Sequence, residues 1–466
     1  EAGRGPRRWG SIRRRGADRG TGGRCRRVTA FRFLTAGESH GPALGVTVEG
    51  VPAGLALTED LIAVDLARRQ KGYGRGARQA IEQDRAEILG GVRHGRTLGS
   101  PVLLLVRNRD WENWTTVMQV GPLSQEEAQR LADDADGGNK RATPVTRVRP
   151  GHADLAGALK YGFNDVRNVL ERASARETAA RVAAGAVARA FLRVLGIEVW
   201  SFTAEVGGVA VDPANCTRSR EEADASPLRC PDPAAETAMI ARIDAAREAG
   251  DTVGGVFEVV AHGLPIGLGS YVHWDRRLDA ALAAAVVSIN IVKGVEFGLG
   301  FEQTRRFGSA VHDVISGRDE IGRWVHRTNN AGGLTGGVSN GEPLVVRGAV
   351  KPISTLARPL PSADLITGEP VEKAHYERSD ISVVPAAGIV AEAMVLLTLA
   401  RFVLEKVGGD TVDDAVTNLA AYRARIARPM SAPVAGGTPD TADLDGPIEA
   451  RHGLTGTDEA GSGGDD

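Results

Sequence analysis

The pattern of apolar and polar residues along the chain predicts a mixture of strands and helices. Short apolar runs bounded by turn residues predict strands at Phe31–Leu34, Leu44–Glu49, Val253–Ala261, Leu344–Val350 and Ile381–Val384. Apolar residues at helical spacing predict helices at Thr58–Arg69, Glu171–Leu195, Leu278–Val292 and Ala386–Lys406. Because both kinds of element occur along the whole chain, the fold class is predicted as α/β or α+β.

Three of the predicted helices carry further signals. Thr58 is a suitable N-cap, and the acidic Glu59 and Asp60 follow in the first turn, where the helix dipole favours negative charge. The segment Glu171–Leu195 is rich in Ala and contains no Pro, which predicts one long, closely packed helix. The segment Leu278–Val292 is apolar on nearly all faces, so we expect it to be buried.

Composition is typical of a globular protein from a reducing compartment. Of the 466 residues, 42% are hydrophobic and 25% are charged. The three cysteines form no CxxC pair, so neither a zinc site nor a disulfide framework is indicated. The 59 glycines predict tight turns and sites lined by backbone. The longest apolar stretch, Ala391–Leu404, is interrupted by Glu392 and Arg401, so no membrane span is expected.

The two ends of the chain carry opposite charge. Residues 1–32 hold eleven Arg and two acidic residues, whereas residues 433–466 hold eight acidic residues and one Arg. The basic start has three interpretations: a nucleic-acid-binding arm, a transit peptide, or upstream sequence without a role. The Pro-, Gly- and Asp-rich end is typical of a disordered tail. We expect a disordered extension over residues 1–30, one large domain over 31–428 and a disordered tail over 429–466.

The first segment with candidate chemistry is a turn between glycines that holds Ser39 and His40. Histidine exchanges protons near neutral pH, so an exposed His in such a turn can act as a general acid or base. Taken alone, however, the segment favours the simpler interpretation of a solvated turn.

A run of cations between glycines follows at Arg68, Arg69, Lys71, Arg75 and Arg78. The spacing is not that of a dinucleotide-binding fingerprint, because no acidic residue follows at the required distance, and it contains no Walker loop. Guanidinium groups bind phosphate and carboxylate through two parallel hydrogen bonds. A small anionic substrate, a nucleic-acid backbone and a solvated charge run all fit this segment.

A second His lies close to Arg in a Pro-Gly turn. Arg149 precedes His152 by three residues, so it can hold an anion while the His supplies a proton. Asp154, two residues further on, can orient the imidazole. The alternative is an ordinary loop in front of the next helix.

The predicted helix after Glu171 contains two more cations. Arg172 and Arg176 are four residues apart and share one face of that helix, with Ser174 between them. They can bind an anion near the helix start, where the dipole also favours negative charge. The alternative is a set of salt bridges with Glu177.

The remaining candidates lie in the second half of the chain. Gly332–Gly341 is expected to form a flexible loop, and Lys351–Thr355 offers a cation and two hydroxyls. Asp380 is a carboxylate that can act as a base. The His-x-x-x-His spacing typical of zinc hydrolases is missing from the sequence, which disfavours metallohydrolases. Residues 37–41 match Gly-x-Ser-x-Gly, but they lie between two predicted strands and not between a strand and a helix, which disfavours serine hydrolases. The residues alone indicate a protein that binds or converts a small, multiply anionic molecule.

Several segments, in their order along the chain, resemble signature stretches of the chorismate synthase family: Ala36–Pro42, Arg149–Asp154, Arg172–Val182, Lys351–Thr355 and Arg378–Pro385. The resemblance extends from about Arg32 to Arg425 and leaves both tails outside it. It implies a β-α-β sandwich in a single large domain, usually assembled as a homotetramer.

The resemblance also implies a reaction. Members of this family are lyases that convert 5-enolpyruvylshikimate-3-phosphate to chorismate and phosphate by 1,4-anti-elimination, the last common step of the shikimate pathway to aromatic amino acids. The reaction requires reduced FMN although it causes no net redox change, and NADPH is only an indirect source of reducing equivalents. We therefore expect a cytoplasmic enzyme without a metal, a nucleic-acid partner or a membrane anchor.

The resemblance assigns roles to individual residues. It implies that His40 protonates the departing phosphate, that His152 protonates or stabilises the reduced flavin, and that Asp380 assists proton removal from C6 through flavin N5. Ser39 and Ser174 resemble relay hydroxyls beside these groups. The substrate anions are expected to bind Arg69, Arg75, Arg78, Arg149, Arg176 and Arg378. The flavin site is expected to comprise Arg172, Ala173, Ser174, Asn290, Ile291, Gly336, Lys351, Pro352, Ile353, Ser354, Thr355 and Arg378.

The sequence departs from the family pattern at two places, and two other functions remain open. Ala173 stands where many members have Ser, and Asn290-Ile291 stands where Gln-Ala is common. Neither change removes a charge, so flavin affinity is the property in question. A flavin reductase that uses NAD(P)H is one alternative, although no additional domain for it is evident. Nucleic-acid binding through the Arg-rich arm is the other.

Overall fold

A computed structural model describes residues 31–76, 84–213, 219–377 and 379–429. The basic extension and nearly all of the acidic tail lie outside these residues. The α-helices of the described chain are α1 (Glu59–Gln70), α2 (Gln125–Asp136), α3 (Asp154–Tyr161), α4 (Arg167–Ala173), α5 (Thr178–Val194), α6 (Arg220–Ala225), α7 (Pro233–Ala249), α8 (Leu278–Val287), α9 (Val384–Val407) and α10 (Val412–Ala427).

The strands form two main antiparallel sheets and several short ribbons. In chain order they are β1 (Arg32–Gly37), β2 (Ala43–Glu49), β3 (Ala86–Gly90), β4 (Val92–Arg93), β5 (Arg96–Thr97), β6 (Val102–Arg107), β7 (Glu198–Val206), β8 (Val209–Ala210), β9 (Gly255–His262), β10 (Val292–Phe297), β11 (Ile315–Arg318), β12 (Trp324–His326), β13 (Leu334–Thr335), β14 (Val338–Ser339), β15 (Leu344–Val350), β16 (Ser362–Ala363) and β17 (Pro370–Val371).

The first main sheet has the strand order β1-β2-β6-β3. Its inner face is apolar because alternate residues of each strand point to the same side, as Leu44, Val46 and Val48 of β2 do. Strands β1 and β2 are joined by a tight turn that starts at Gly37, which has a φ of 101°. A side chain there would collide with the carbonyl oxygen of Ala43, so this turn requires Gly.

The second main sheet has the strand order β10-β15-β9-β7-β8, again antiparallel. A layer of helices lies between the two sheets. Helix α5 packs on β2 and β6 of the first sheet and on α9, while α9 packs on β7 and β9 of the second. Gly185 of α5 lies directly against Ala393 of α9, so that any side chain at Gly185 would overlap that helix. This arrangement is a β-α-β sandwich, as the sequence predicts.

Helix α9 is buried along most of its length. Within the described ranges it is the helix that is long and apolar enough to cross a membrane, but 89% of its apolar window is buried inside the protein. Such burial on all sides is typical of the core helix of a globular domain.

A buried ion cluster joins the helical layer to the second sheet. Glu392 of α9 is fully buried and accepts hydrogen bonds from Arg68 at 2.7 and 2.9 Å, from Arg189 at 2.5 Å and from Ser201 at 2.7 Å. Arg229 donates to the same carboxylate at 3.3 Å. Burial opposes ionisation of Glu392, but the surrounding guanidinium groups outweigh it and hold its pKa well below the usual range.

The prediction of one continuous helix over Glu171–Leu195 is wrong, because the helix breaks at Ser174. This residue has an extended backbone, with a ψ of 144°, and its hydroxyl accepts a hydrogen bond from the backbone N–H of Arg176 at 3.2 Å. A serine side chain can compete with the helical hydrogen bonds in this way. Helix α4 therefore ends before the break, a short 3₁₀ turn follows, and Arg172 and Arg176 do not share one helix face.

The segment Ile381–Val384 is not a strand, contrary to the prediction. Its backbone bonds to two separate segments, because Ile381 donates to Gly74 O at 2.8 Å and accepts from Val253 N at 2.9 Å. Helix α9 then begins at Val384, with Pro385 in its first turn, where the missing N–H of Pro costs nothing.

Two other local predictions need correction. Helix α8 ends at Val287, so that residues 292–297 are free to form strand β10 of the second sheet. The same helix buries Leu278, Leu282 and Val286, but Val287 is 49% exposed, so it is not buried on all faces. The Gly-rich segment 332–341 is an ordered hairpin of β13 and β14 rather than a flexible loop.

Candidate active site

A cavity of about 630 Å³ opens beside the helix break, between α5, α9 and the loops that precede α3 and α9. This volume is within the usual range for small-molecule sites. Its lining includes most of the residues predicted from the sequence: Ser39, His40, Arg69, Arg75, Arg149, His152, Ala173, Ser174, Arg176, Asn290, Ile291, Lys351, Ile353, Ser354, Thr355 and Asp380.

Three predicted residues that the structure describes do not line this cavity. Arg172 is half-exposed, and its guanidinium instead donates to Thr35 and to the carbonyl oxygen of Gly37, which ties α4 to β1. Pro352 is exposed beside the cavity, and Gly336 forms the turn of the hairpin β13–β14. Arg78 and Arg378 lie outside the described residues.

His40 is buried and held by a carboxylate from α4. Its Nδ1 lies 2.8 Å from Oε1 of Glu171, and its backbone N–H donates to Oε2 of the same residue at 2.7 Å. When Nδ1–H donates to this carboxylate, Nε2 is the nitrogen that can accept or release a proton. The carboxylate therefore fixes the position of Nδ1 at the cavity wall.

The two serines of the site meet at the helix break. The hydroxyl of Ser174 donates to the hydroxyl of Ser39 at 3.1 Å. The backbone N–H of Ser39 donates to the carbonyl oxygen of Glu171 at 3.0 Å, so the turn and helix α4 are held together. The break at Ser174 thus brings this hydroxyl beside the turn that carries His40.

A second charged cluster surrounds His152. Its Nδ1 lies 2.5 Å from Oδ1 of the fully buried Asp154, and Arg149 donates to the same carboxylate through Nε at 2.7 Å and Nη2 at 3.0 Å. Burial opposes ionisation of Asp154, but the hydrogen bonds and charges of His152 and Arg149 outweigh it and hold its pKa well below the usual range. Asp154 therefore contacts both neighbours, whereas the spacing predicted such a contact only with the imidazole.

Two buried arginines of the cavity lining contact the same carboxylate. Arg69 lies 3.3 Å from Oδ2 of Asp84, and Arg176 lies 2.5 Å from Oδ1 of the same carboxylate. Arg69 also donates to Thr178 Oγ1 and to the carbonyl oxygen of Ala175, both at 2.9 Å. Both guanidinium groups line the cavity, where they can bind an anionic ligand.

Asp380 is fixed by a backbone group and a cation. Its Oδ1 accepts a hydrogen bond from the N–H of Gly76 at 2.6 Å, and its Oδ2 lies 3.0 Å from Nε of Arg75. Arg75 in turn donates to the carbonyl oxygen of Arg69 at 3.3 Å. The carboxylate therefore lines the cavity in a defined orientation, a requirement for a catalytic base.

One further carboxylate lines the cavity at Glu377. Burial opposes its ionisation, but the hydrogen bond from His375 and the charges of Arg149, His375 and His40 lower the pKa of Glu377 to about 2. Its Oε2 lies 3.8 Å from Nη1 of Arg149. It is therefore an anion that balances part of the cationic wall.

Sequence reasoning missed Asp84, Glu171 and Glu377 as parts of the site. The carboxylates come from segments far from their partners in sequence, as in the separation of 131 residues between His40 and Glu171. A site that contains several buried Arg requires acidic side chains as counter-charges. Acidic residues near the signature segments were therefore the available signal in the sequence.

A cation, two hydroxyls and several apolar side chains of the cavity lining fit the phosphate and ring of a flavin. Lys351 donates from Nζ to the carbonyl oxygen of Gly151 at 3.0 Å, and the hydroxyls of Ser354 and Thr355 lie beside it in the lining. Burial first, and then the charge of Lys293, lower the pKa of Lys351. An apolar wall suited to a planar ring continues from these groups through Ile289, Ile291, Val383, Ala387 and Val390.

The depressed carboxylate pKa values predict how stability depends on pH. Asp154, Glu377 and Glu392 bind protons less readily in the folded than in the unfolded state. Their contribution is present above their unfolded pKa values and is lost as the pH falls. We expect the free energy of unfolding, measured in urea, to decrease from about pH 5 to about pH 3. Asp154→Asn should reduce this slope, and a stability that stays constant or rises would contradict the assignment.

The fold and the site define an α+β protein with a cavity for a small molecule, lined by several cationic side chains. The family model described as chorismate synthase matches residues 31–404. The chorismate synthases of Thermobifida fusca and Acidothermus cellulolyticus are 54% and 55% identical over 397 and 396 residues, which cover 84% of this chain and 98% of each relative. The chain therefore belongs to the chorismate synthase family, a family of lyases in aromatic biosynthesis.

A solved structure agrees with this membership. A crystal structure of chorismate synthase matches with a TM-score of 0.67 and 41% sequence identity, over 85% of this chain and 98% of that chain. The predicted family and the predicted β-α-β sandwich are both confirmed.

Proposed function

We propose that the protein converts 5-enolpyruvylshikimate-3-phosphate to chorismate and inorganic phosphate by 1,4-anti-elimination with reduced FMN. The bond between carbon and the phosphate ester oxygen breaks, a proton leaves C6, and a new carbon–carbon double bond forms without net redox change. The observation that carries this proposal is a single cavity lined by His40, Asp380, several guanidinium groups and Lys351. Phosphate release from this substrate under oxygen-free conditions tests it.

His40 is the proposed proton donor to the departing phosphate. Its Nδ1 contact with Glu171 at 2.8 Å supports this role, since the carboxylate fixes the position of Nδ1. Positioned proton transfers typically contribute about 10²–10⁴-fold to a rate. The hydroxyls of Ser39 and Ser174, 3.1 Å apart beside it, can relay protons between this ring and the cavity.

Asp380 is the proposed group that assists proton removal at C6. It is an acceptor whose orientation is fixed by Gly76 N–H and Arg75. The cationic wall of Arg69 and Arg176 would bind substrate phosphate or carboxylate, and Arg149 would bind a second anionic group. Arg75 contributes positive charge to the same wall while it holds Asp380.

A second group of residues in the cavity lining would hold reduced FMN. Lys351, Ser354 and Thr355 would bind its phosphate, and the apolar wall would cover its ring. When bound, this cofactor supplies electron density to the allylic centre as the phosphate leaves. His152, oriented by Asp154, would hold or donate a proton in the same cavity.

Affinity for FMN relative to riboflavin tests the phosphate site. Lys351→Gln should weaken FMN binding about tenfold, because a charge-assisted hydrogen bond is lost, and leave binding of riboflavin unchanged. Titration by calorimetry without oxygen measures both ligands. Lys160→Gln, at an exposed position of α3, is the matched control. Equal affinity of wild type and Lys351→Gln for FMN would contradict the proposed binding of the FMN phosphate by Lys351.

The source of reduced flavin separates this proposal from a flavin reductase. We propose that reduced FMN is supplied from outside, with NADPH only as an indirect electron source. Purified protein with FMN and NADPH should then oxidise no NADPH above the rate without protein. Oxidation that requires the protein would favour the reductase alternative.

The remaining family expectations are part of the same proposal. We propose one catalytic domain over residues 31–428, a homotetramer as the assembly and the cytoplasm as the compartment. Light scattering after size-exclusion chromatography measures the assembly directly. We propose no nucleic-acid role for residues 1–30, so their deletion should leave catalysis intact.

A further inference from the structure

His40 stacks against an aromatic residue that the proposed reaction does not use. The ring centroids of His40 and Trp114 are 4.1 Å apart, and the two planes are inclined by 28°. Trp114 is only 7% exposed, and its Nε1–H donates to Oδ2 of Asp110 at 2.8 Å, which fixes the direction of the indole. Trp114 does not line the cavity, so it can act on the substrate only through His40.

The contacts around Trp114 close into a ring. The guanidinium carbon of Arg167 lies 5.3 Å from the indole centroid, a distance typical of cation–π contact. Nη1 of the same Arg167 lies 3.9 Å from Oε1 of Glu171, which binds His40. Each of four residues therefore contacts the next one around a closed ring: His40, Glu171, Arg167 and Trp114. We call these four residues the His40 clamp.

The segment that carries Trp114 also forms hydrogen bonds with the backbone of the turn that holds Ser39 and His40. Asn108, just after β6, donates from Nδ2 to the carbonyl oxygens of Ser39 at 2.9 Å and Gly41 at 3.1 Å. The backbone N–H of Asp110 donates to Oδ1 of Asn108 at 3.2 Å. One short segment thus holds both the main chain around His40 and, through Trp114, the face of its ring.

We propose that Trp114 is a positioning residue that fixes the plane of the His40 imidazole. The hydrogen bond to Glu171 fixes the position of Nδ1, but it leaves the ring plane free to tilt about that contact. Stacking on a buried indole removes this freedom and directs Nε2 at one point of the cavity. The inference rests on the proposed function in assigning proton donation to His40.

Steady-state kinetics separates positioning from binding. Trp114→Leu should lower kcat about 10- to 100-fold, because a misplaced proton donor loses rate, while KM for the substrate changes little. Trp114→Phe should restore most of kcat, since a planar ring is retained. Trp111→Leu, in the adjoining 3₁₀ turn, is the matched control, and thermal midpoints confirm that each variant folds. Wild-type kcat in Trp114→Leu, or equal losses in the Leu and Phe variants, would overturn the inference.

Tryptophan fluorescence tests the same contact without turnover. The emission of Trp114 is the difference between wild type and Trp114→Phe, and a stacked imidazole should quench it. The same difference measured in a His40→Leu background should therefore be larger. An unchanged difference would overturn the stacking role even in an active enzyme. Absence of phosphate release by the folded wild type would instead contradict the proposed function, whatever the emission shows.

Discussion

Replacement of His40 by Ala is expected to lower kcat for phosphate elimination by about 10²–10⁴-fold. The side chain is buried at the cavity wall, where the carboxylate of Glu171 fixes the position of its Nδ1. Without it, the departing phosphate must take its proton from water. We expect KM to change less than kcat, because the guanidinium groups that bind the substrate anions remain in place.

Two further variants sharpen this prediction. Glu171→Gln should lower kcat by less than His40→Ala, because the imidazole remains but loses its counter-charge. His262→Gln is the matched control, since this histidine is exposed at the end of β9 and does not line the cavity. Stopped assays of phosphate release measure all three. A His40→Ala enzyme with kcat close to that of the wild type would show that proton donation comes from another group.

Replacement of Glu392 by Ala is expected to reduce the free energy of unfolding by about 3–5 kcal/mol. Three guanidinium groups, those of Arg68, Arg189 and Arg229, converge on this fully buried carboxylate. Removal of the anion leaves three buried guanidinium groups that face one another and share the carboxylates of Asp65 and Asp224. Because Arg68 adjoins Arg69 of the cavity wall, the catalytic site should lose order as the cluster opens.

Equilibrium unfolding in urea measures this loss. Glu405→Ala is the matched control, because Glu405 lies on the same helix, is exposed, and pairs with Arg276 at the surface. Surface pairs of this kind contribute about 0–1 kcal/mol. If the Glu392 variant is destabilised no more than the Glu405 variant, the cluster does not have the structural role argued here.

Local elements were predictable where the sequence signal and the tertiary environment agree. Strand β15 has the predicted bounds Leu344–Val350, and the hydroxyl of Thr58 caps α1 by accepting a hydrogen bond from Leu61 N. The predicted Ala-rich helix lacked any Gly or Pro at its break. Only the contacts of Ser174 with Ser39 and Arg176, which depend on the folded turn, reveal why the helix stops there.

The candidate site was predictable as a set of signature segments but not as a network. Local motifs identify His40, His152 and Asp380 because each lies in a short segment rich in Gly or Arg. Their partners could not be found in the same way, since Asp84 and Glu171 resemble ordinary acidic residues in the sequence. Only the distances in the folded structure show that these acidic residues belong to the site. Asp84 lies 2.5 Å from Arg176, and Glu171 lies 2.8 Å from His40.

The stoichiometry of bond cleavage tests the central claim most directly. The substrate, fully labelled with deuterium only at the C6 hydrogen that lies anti to the phosphate, is incubated without oxygen with the wild-type protein and chemically reduced FMN. Released phosphate and released isotope are then counted together. We predict that the two appear in a one-to-one ratio, because elimination removes both groups from each molecule. Release of phosphate without the isotope, or release of neither by folded protein that has bound FMN, would contradict the account.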